Sequence, residues 1–195
     1  NGKTEQPFKD GFIYAYPFVE GEVYKIKNNE FEKDLISKLT EIMGEIHKTD
    51  LSDISFPKED FNYNFKQQFE QILQDMNNGR VVPEVSKSDL DKLETIILDF
   101  NARSQKYQTN LPEMVLTHGD ITARNILVDK EGNIKLLDWD EAKIAPKEKD
   151  INFLYDNPHF DFKYYQFITK SGDFIPNLRK YYETVWDLES ILVNI

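Results

Sequence analysis

The sequence predicts an α+β fold that is mostly helical, with one small β-hairpin set into the helices. Three observations predict it. Apolar residues recur at helical spacing in several long segments. Two short apolar runs flank the turn-forming stretch Asp129-Lys130-Glu131-Gly132-Asn133. The chain of 195 residues is 39% hydrophobic and 13% aromatic, enough to bury a core for one domain or one large lobe.

In chain order, residues 1–10 are polar and are expected to be loose. Residues 11–19 (Gly-Phe-Ile-Tyr-Ala-Tyr-Pro-Phe-Val) are aromatic and β-branched and predict a strand that Pro17 ends or holds at an edge. Glu20-Gly21 then turns the chain. Leu35, Leu39, Ile42, Met43 and Ile46 predict a helix over 30–48. Phe61, Phe65, Phe69, Ile72, Leu73 and Met76 predict a second over 61–77, stopped by Asn77-Asn78-Gly79. Ser88-Asp89 resembles a helix start, and Leu90, Leu93, Ile97 and Phe100 share one face. Ile126-Leu127-Val128 and Ile134-Lys135-Leu136-Leu137 are the two strands of the hairpin. Residues 159–195 read as helical, broken near Gly172 and Pro176.

Composition narrows the function. The net charge of −11 argues against a nucleic-acid backbone or an anionic membrane as partner. With no cysteine, thiol chemistry and Cys-ligated zinc are excluded, and His47, His118 and His159 are too scattered to suggest a His-rich metal site. No apolar run is long enough to span a membrane, and no signal-peptide core opens the chain. A cytoplasmic protein is the expectation. The chain begins without Met, which suggests a processed or truncated product.

The chemistry concentrates between 118 and 140. The chain reads His118-Gly119-Asp120-Ile121-Thr122-Ala123-Arg124-Asn125, then the hairpin, then Asp138-Trp139-Asp140. A hairpin brings its open ends together, so Asn125 and Asp138, 13 positions apart, are predicted to be neighbours with Asp120 close by. A neutral oxygen ligand beside a carboxylate suits Mg²⁺, which is commonly completed by substrate phosphates and water. Asp120 would then accept or orient a hydroxyl proton. Taken singly, Asp120 and Asn125 are ordinary turn and cap residues; it is their spacing from His118 and Asp138 that points to a site. An Asp-x-Asp after an apolar strand also begins the site of haloacid-dehalogenase-type phosphatases. Ala142 and the position late in the chain do not match that pattern.

His-x-Asp-x-x-x-x-Asn followed 13 residues later by Asp is the catalytic-loop and metal-Asp layout of protein kinases. His-Gly-Asp and Asp-Trp-Asp, with no Ala-Pro-Glu after them, favour small-molecule relatives. The chain resembles the C-terminal lobe of the aminoglycoside phosphotransferase and choline kinase family, a protein-kinase-like fold, with a weaker similarity to the spectinomycin-phosphotransferase branch in Tyr181 to Asp187.

The resemblance implies a residual N-lobe strand and hinge over 1–21 and a helical C-lobe over 22–195, with catalytic loop 118–125 and metal motif 138–140. It implies ATP or GTP held by a hinge around Pro17, Phe18 and Val19, with Arg124 as a candidate phosphate contact. Mg²⁺ would sit on Asn125 and Asp138. Asp140 would touch a second metal ion or cap the next turn. Asp120 would be catalytic, and Asp150 would brace the loop. His118 and the helix-end His47 are expected to be structural. The acceptor would be a small hydroxylated molecule of cationic type: an aminoglycoside, aminocyclitol or amino alcohol. Tyr155, Phe160, Tyr164, Tyr165 and Trp186, with Asp156, Asp161 and Asp187, either help to surround it or are core. The family's N-terminal lobe has no room before residue 11, and the eight glycines contain no Gly-x-Gly-x-x-Gly. A truncated kinase lobe, inactive alone, is therefore expected; the alternative is an inactive kinase-like binding module.

Overall fold

The computed structural model describes residues 5–8, 11–14, 20–26, 31–53, 55–80 and 85–193. Strand β1 (Glu5–Phe8) pairs antiparallel with β2 (Gly11–Tyr14), so the expectation of a loose N-terminal decapeptide is corrected for Glu5–Phe8. Paired with Gly11–Tyr14, even a Pro-containing tetrapeptide finds ladder partners. The predicted strand is described only to Tyr14, and the hinge residues Pro17, Phe18 and Val19 lie outside the described residues. After Gly21, strand β3 (Glu22–Val23) pairs with the hairpin.

Helix α1 (Lys33–His47) buries Leu35, Ile36, Leu39 and Met43, the face set by its apolar period. The second helix, α2 (Phe65–Asn77), starts four residues later than the sequence suggests. The cause is Phe61, which lies in the left-handed region at φ 54°, a conformation no helix continues through. Helix α3 (Lys87–Thr109) is capped by Ser86, whose hydroxyl oxygen accepts from the Asp89 N–H at 3.2 Å. That cap lies two residues before the start the sequence suggests.

Strand β4 (Val115–Thr117) leads into the polar segment 118–125. A short 3-10 turn at Ala123–Asn125 precedes β5 (Ile126–Val128), which returns as β6 (Ile134–Leu136). Strand β7 (Lys143–Ala145) runs back along β4, pairing Thr117 with Lys143 and Val115 with Ala145. One-turn α4 (Glu148–Ile151) follows, then α5 (Phe162–Thr169), which ends at left-handed Lys170, and α6 (Pro176–Val193), which begins at a proline suited to a first helical turn.

The sheets are thus β1-β2, β3-β5-β6 and β4-β7, all antiparallel. Two hydrophobic clusters hold the helices. One joins α2, α3 and α6 through residues such as Phe65, Phe100, Ile97 and Tyr181. The other joins α1, the hairpin and α5 through Ile36, Leu39, Ile126, Ile151 and Tyr165. This is an α+β kinase-like arrangement in which the hairpin and β4-β7 carry the polar loop. Among the described residues no helix is long and apolar enough to cross a membrane.

Candidate active site

The loop after β4 is anchored from below by one buried carboxylate. Asp150 is fully buried on α4, and β4-β7 pairing brings that helix beneath the loop. Its Oδ2 accepts from the His118 N–H at 2.9 Å and its Oδ1 from the Gly119 N–H at 2.7 Å. His47, at the end of α1, contacts Oδ2 through Nε2 at 3.0 Å, and its Nδ1 lies 2.6 Å from the Tyr165 hydroxyl. Burial by itself would raise the Asp150 carboxyl. The bond and charge from His47 and the two backbone donors outweigh it and hold the group below the ordinary carboxylate value. The expected brace at Asp150 is present as geometry, and His47 does more than pack, because it ties α1 to the loop.

His118 is held at both nitrogens. Its Nε2 lies 2.9 Å from the Leu137 carbonyl oxygen, which can only accept, so Nε2 carries the proton. The ring's Nδ1 then accepts from the Asp120 N–H at 3.3 Å. Trp139 lies against the ring, with centroids 4.6 Å apart. Gly119 adopts φ +90°, and a Cβ there would sit 2.5 Å from the Glu141 carbonyl oxygen. Only glycine lets the loop pass this close.

These anchors aim Asp120. Its Oδ2 accepts from Asn125 Nδ2 at 2.7 Å and from Arg124 Nη2 at 3.1 Å, whereas its Oδ1 is buried with no hydrogen-bond partner among the described residues. Arg124 is exposed and paired with this carboxylate. The Asn125 amide also donates to the Asp120 carbonyl oxygen at 3.0 Å. With its nitrogen facing two oxygens, the amide leaves its own carbonyl oxygen free. The Asn125 backbone oxygen accepts from the Leu137 N–H at 2.8 Å, so Asp138 follows directly on the residue paired with Asn125. Asp138 is exposed and stands at φ 62°, a local kink at the end of β6. Asp140 is exposed two residues further on.

The donor chemistry fits Mg²⁺ in the manner of a nucleotide-bound ion. The available groups are hard oxygens: the free Asn125 carbonyl oxygen and the Asp138 carboxylate. Among the described residues no cluster of three or more His, Cys, Asp or Glu could hold a metal by protein ligands alone. Phosphates and water would have to complete the shell, as is usual for Mg²⁺.

Asp120 opens onto a cavity of about 270 Å³. Besides Asp120 and Arg124, charged Glu141, Lys143, Lys149 and Glu189 line it, and Tyr63, Tyr182 and Trp186 form an aromatic wall. Burial and nearby Glu59 push the Tyr63 and Tyr182 hydroxyls well up, so both stay protonated; that of Tyr182 is buried without a partner. The sequence pointed to Trp186 but missed the rest of this wall. Its members come from the segment before α2, from the β6-β7 region, from α4 and from α6, with no shared motif to announce them. The other predicted aromatics do not line this cavity: Tyr165 is buried in the core and Phe160 packs against it, whereas Tyr155 and Tyr164 are exposed, Tyr155 stacking on Phe174 with centroids 4.5 Å apart.

A family model, the phosphotransferase enzyme family, matches residues 1–189. No curated protein sequence matches the chain. Among solved structures it is similar to spectinomycin phosphotransferase APH(9)-Ia in complex with ADP and spectinomycin, at TM-score 0.67 and 23% identity, covering 98% of this chain and 62% of that one. Choline kinase LicA from Streptococcus pneumoniae aligns at TM-score 0.59 and 12% identity, over 96% of this chain and 65% of that one. The GDP and kanamycin complex of APH(2")-IIIa aligns at TM-score 0.58 and 15% identity, over 97% and 65%. These likenesses establish the fold, and the chain spans less than two thirds of each of those proteins. The family model rests on the sequence itself, over nearly its whole length, and on that ground the chain belongs to the phosphotransferase enzyme family.

Proposed function

We propose that the protein transfers the γ-phosphoryl group of ATP or GTP to a hydroxyl of a small, amine-bearing molecule. The observation that carries this reading is the divided Asp120 carboxylate. Oδ2 is immobilised by Asn125 and Arg124, Oδ1 is buried with no hydrogen-bond partner among the described residues, and the residue lines the cavity. A buried acceptor oxygen left without a donor costs about 1–3 kcal/mol. An acceptor hydroxyl in the cavity would fill that vacancy.

In the proposed step the hydroxyl oxygen attacks the γ-phosphorus and the bond to the β-γ bridging oxygen breaks. The nucleoside diphosphate leaves, and the hydroxyl proton passes to Asp120 Oδ1 late in the transfer. Mg²⁺ held by Asn125 and Asp138 would supply charge neutralisation on the phosphates. The chain's own contribution is mainly positioning, as expected for a loose transition state. The ADP and AMP complexes of spectinomycin phosphotransferase and the AMP complex of LicA support nucleotide as the second substrate.

The test is a phosphorylation assay on the protein expressed from its whole open reading frame. A panel of hydroxylated amines is offered with Mg-ATP and Mg-GTP, and products are read by mass. Phosphorylated acceptor that disappears in Asp120→Asn supports the reading. Acceptor binding with no transfer under any nucleotide would reduce the protein to a binding module.

A further inference from the structure

The cavity beside Asp120 is charge-balanced. Three acids (Asp120, Glu141, Glu189) and three bases (Arg124, Lys143, Lys149) line it, in a chain whose net charge is −11. Arg124 is engaged by Asp120 at 3.1 Å. The other four make no ion pair with any described residue.

Lys149 is the informative member. It is 7% exposed, and among the described residues the one hydrogen bond of its ammonium runs to the Glu141 carbonyl oxygen at 3.4 Å, long for a charged donor. An ammonium has three protons to donate. Burial, and after it the neighbouring Lys143 charge, push Lys149 below its ordinary value. Two cations therefore share one wall of the cavity; Glu59, Asp150 and Glu141 act on the buried one from a distance, but among the described residues no carboxylate closes on it to ion-pair distance. A buried charge in that state is costly until an anion completes it. The acids Glu141 and Glu189 stand at the exposed rim: partial burial, and then Glu141, push the Glu189 carboxyl up, and Lys149 and Lys143 offset part of that rise without closing on it. A purely cationic guest would relieve Glu141 and Glu189 and leave Lys149 unmatched.

We infer that the acceptor is a small hydroxylated zwitterion, with its carboxylate bound by Lys149 and Lys143, its ammonium by Glu141 and Glu189, and its hydroxyl at Asp120. The inference rests on the phosphotransferase reading of the same site and narrows its substrate class. The cavity, about 270 Å³, lies at the small end of ligand pockets, which suits a compact guest.

The experiment is binding without nucleotide, by saturation-transfer NMR titration of the whole chain with three matched probes. L-serine carries hydroxyl, ammonium and carboxylate; ethanolamine lacks the carboxylate; glycolate lacks the ammonium. Serine should bind about tenfold tighter than ethanolamine, the worth of one charge-assisted contact. Lys149→Met should erase that difference and leave ethanolamine binding unchanged, and Lys149→Arg should restore part of it. Glu189→Gln should weaken serine and ethanolamine but not glycolate. If Lys149→Met does not fold by circular dichroism, the less buried Lys143→Gln carries the same test.

Ethanolamine binding as tightly as serine, or no binding of any probe, overturns the proposal. So does a Lys149→Met variant that loses affinity for Mg-ATP while keeping the serine preference, because the lysines would then serve nucleotide phosphates. Serine preference without phosphoryl transfer would sink the enzymatic reading and leave this one standing. Transfer to carboxylate-free amines in preference to zwitterions would do the reverse.

Discussion

Asp120 and Asp138 are both carboxylates, and what each touches separates them. Asp120 is buried and half engaged; Asp138 is exposed at a kink. Asp120→Asn keeps the shape but removes the group proposed to receive the proton, so kcat should fall by about 10²–10⁴-fold with nucleotide KM little changed. Asp138→Ala should instead raise the Mg²⁺ requirement by at least about tenfold, with partial recovery at high Mg²⁺. Steady-state kinetics across a Mg²⁺ series distinguishes the two, and equal behaviour would remove the division of roles. Asp150 offers a pH signature. Its carboxyl is held below its ordinary value of 3.8, so between the folded value and 3.8 the unfolded chain binds more protons. Its contribution is therefore fully present above pH 3.8 and lost as pH falls through the lower folded value. Asp50, Asp89 and Asp129 shift the same way through local hydrogen bonds at the surface, so they add an acid loss common to both chains. Urea melts across acid pH should show a larger loss in the natural chain than in Asp150→Asn; equal losses would remove the role given to Asp150. Asp120, Asn125 and Asp138 were legible in the sequence because their spacing is local. The contact between His47 and Asp150 was not, because 103 positions separate them and no pattern links a helix end to a one-turn helix.

The legible elements are those long enough to repeat. Leu90, Leu93, Ile97 and Phe100 show the face of α3 before any coordinates, and the turn at 129–133 announces the hairpin. Strands β3 and β7 have two and three residues, too few for alternation to register, and their existence depends on partners elsewhere in the chain. Yet β7 is what matters for the site: paired with β4, it feeds α4 beneath the loop and delivers Lys143, Lys149 and Asp150. The join between β4 and the loop is Gly119, with φ +90° and the Glu141 carbonyl oxygen 2.5 Å from where a Cβ would lie. Gly119→Ala should therefore cost about 1–3 kcal/mol from the strained backbone alone, more with the backbone clash. It should also misplace Asp120, lowering kcat beyond what the loss of stability explains. Chemical denaturation and kinetics on the same sample test this; a variant of natural stability and activity would show that the loop has room the geometry denies.

The two hydrophobic clusters divide the molecule along the line of the site. The cluster around α1 and the hairpin holds the loop and the proposed metal side, whereas the cluster of α2, α3 and α6 backs the acceptor wall. Phe100 is fully buried in the second cluster and stacks on Tyr181, with centroids 4.6 Å apart; Tyr182, the next residue, lines the cavity. Phe100→Ala should cost about 3–5 kcal/mol of stability, the usual range for emptying an aromatic core position. Its functional trace should be one-sided. Loosening α6 spoils the placement of Tyr182, Trp186 and Glu189, so acceptor KM should rise several-fold. The Mg²⁺ dependence, which the proposal assigns to Asn125 and Asp138 beside the other cluster, should stay as it was. The assay is run well below the variant's melting temperature, with the folded fraction checked by circular dichroism. A rise in Mg²⁺ requirement equal to the rise in acceptor KM would mean that the two clusters behave as one core, and that acceptor and metal sites cannot be tuned separately.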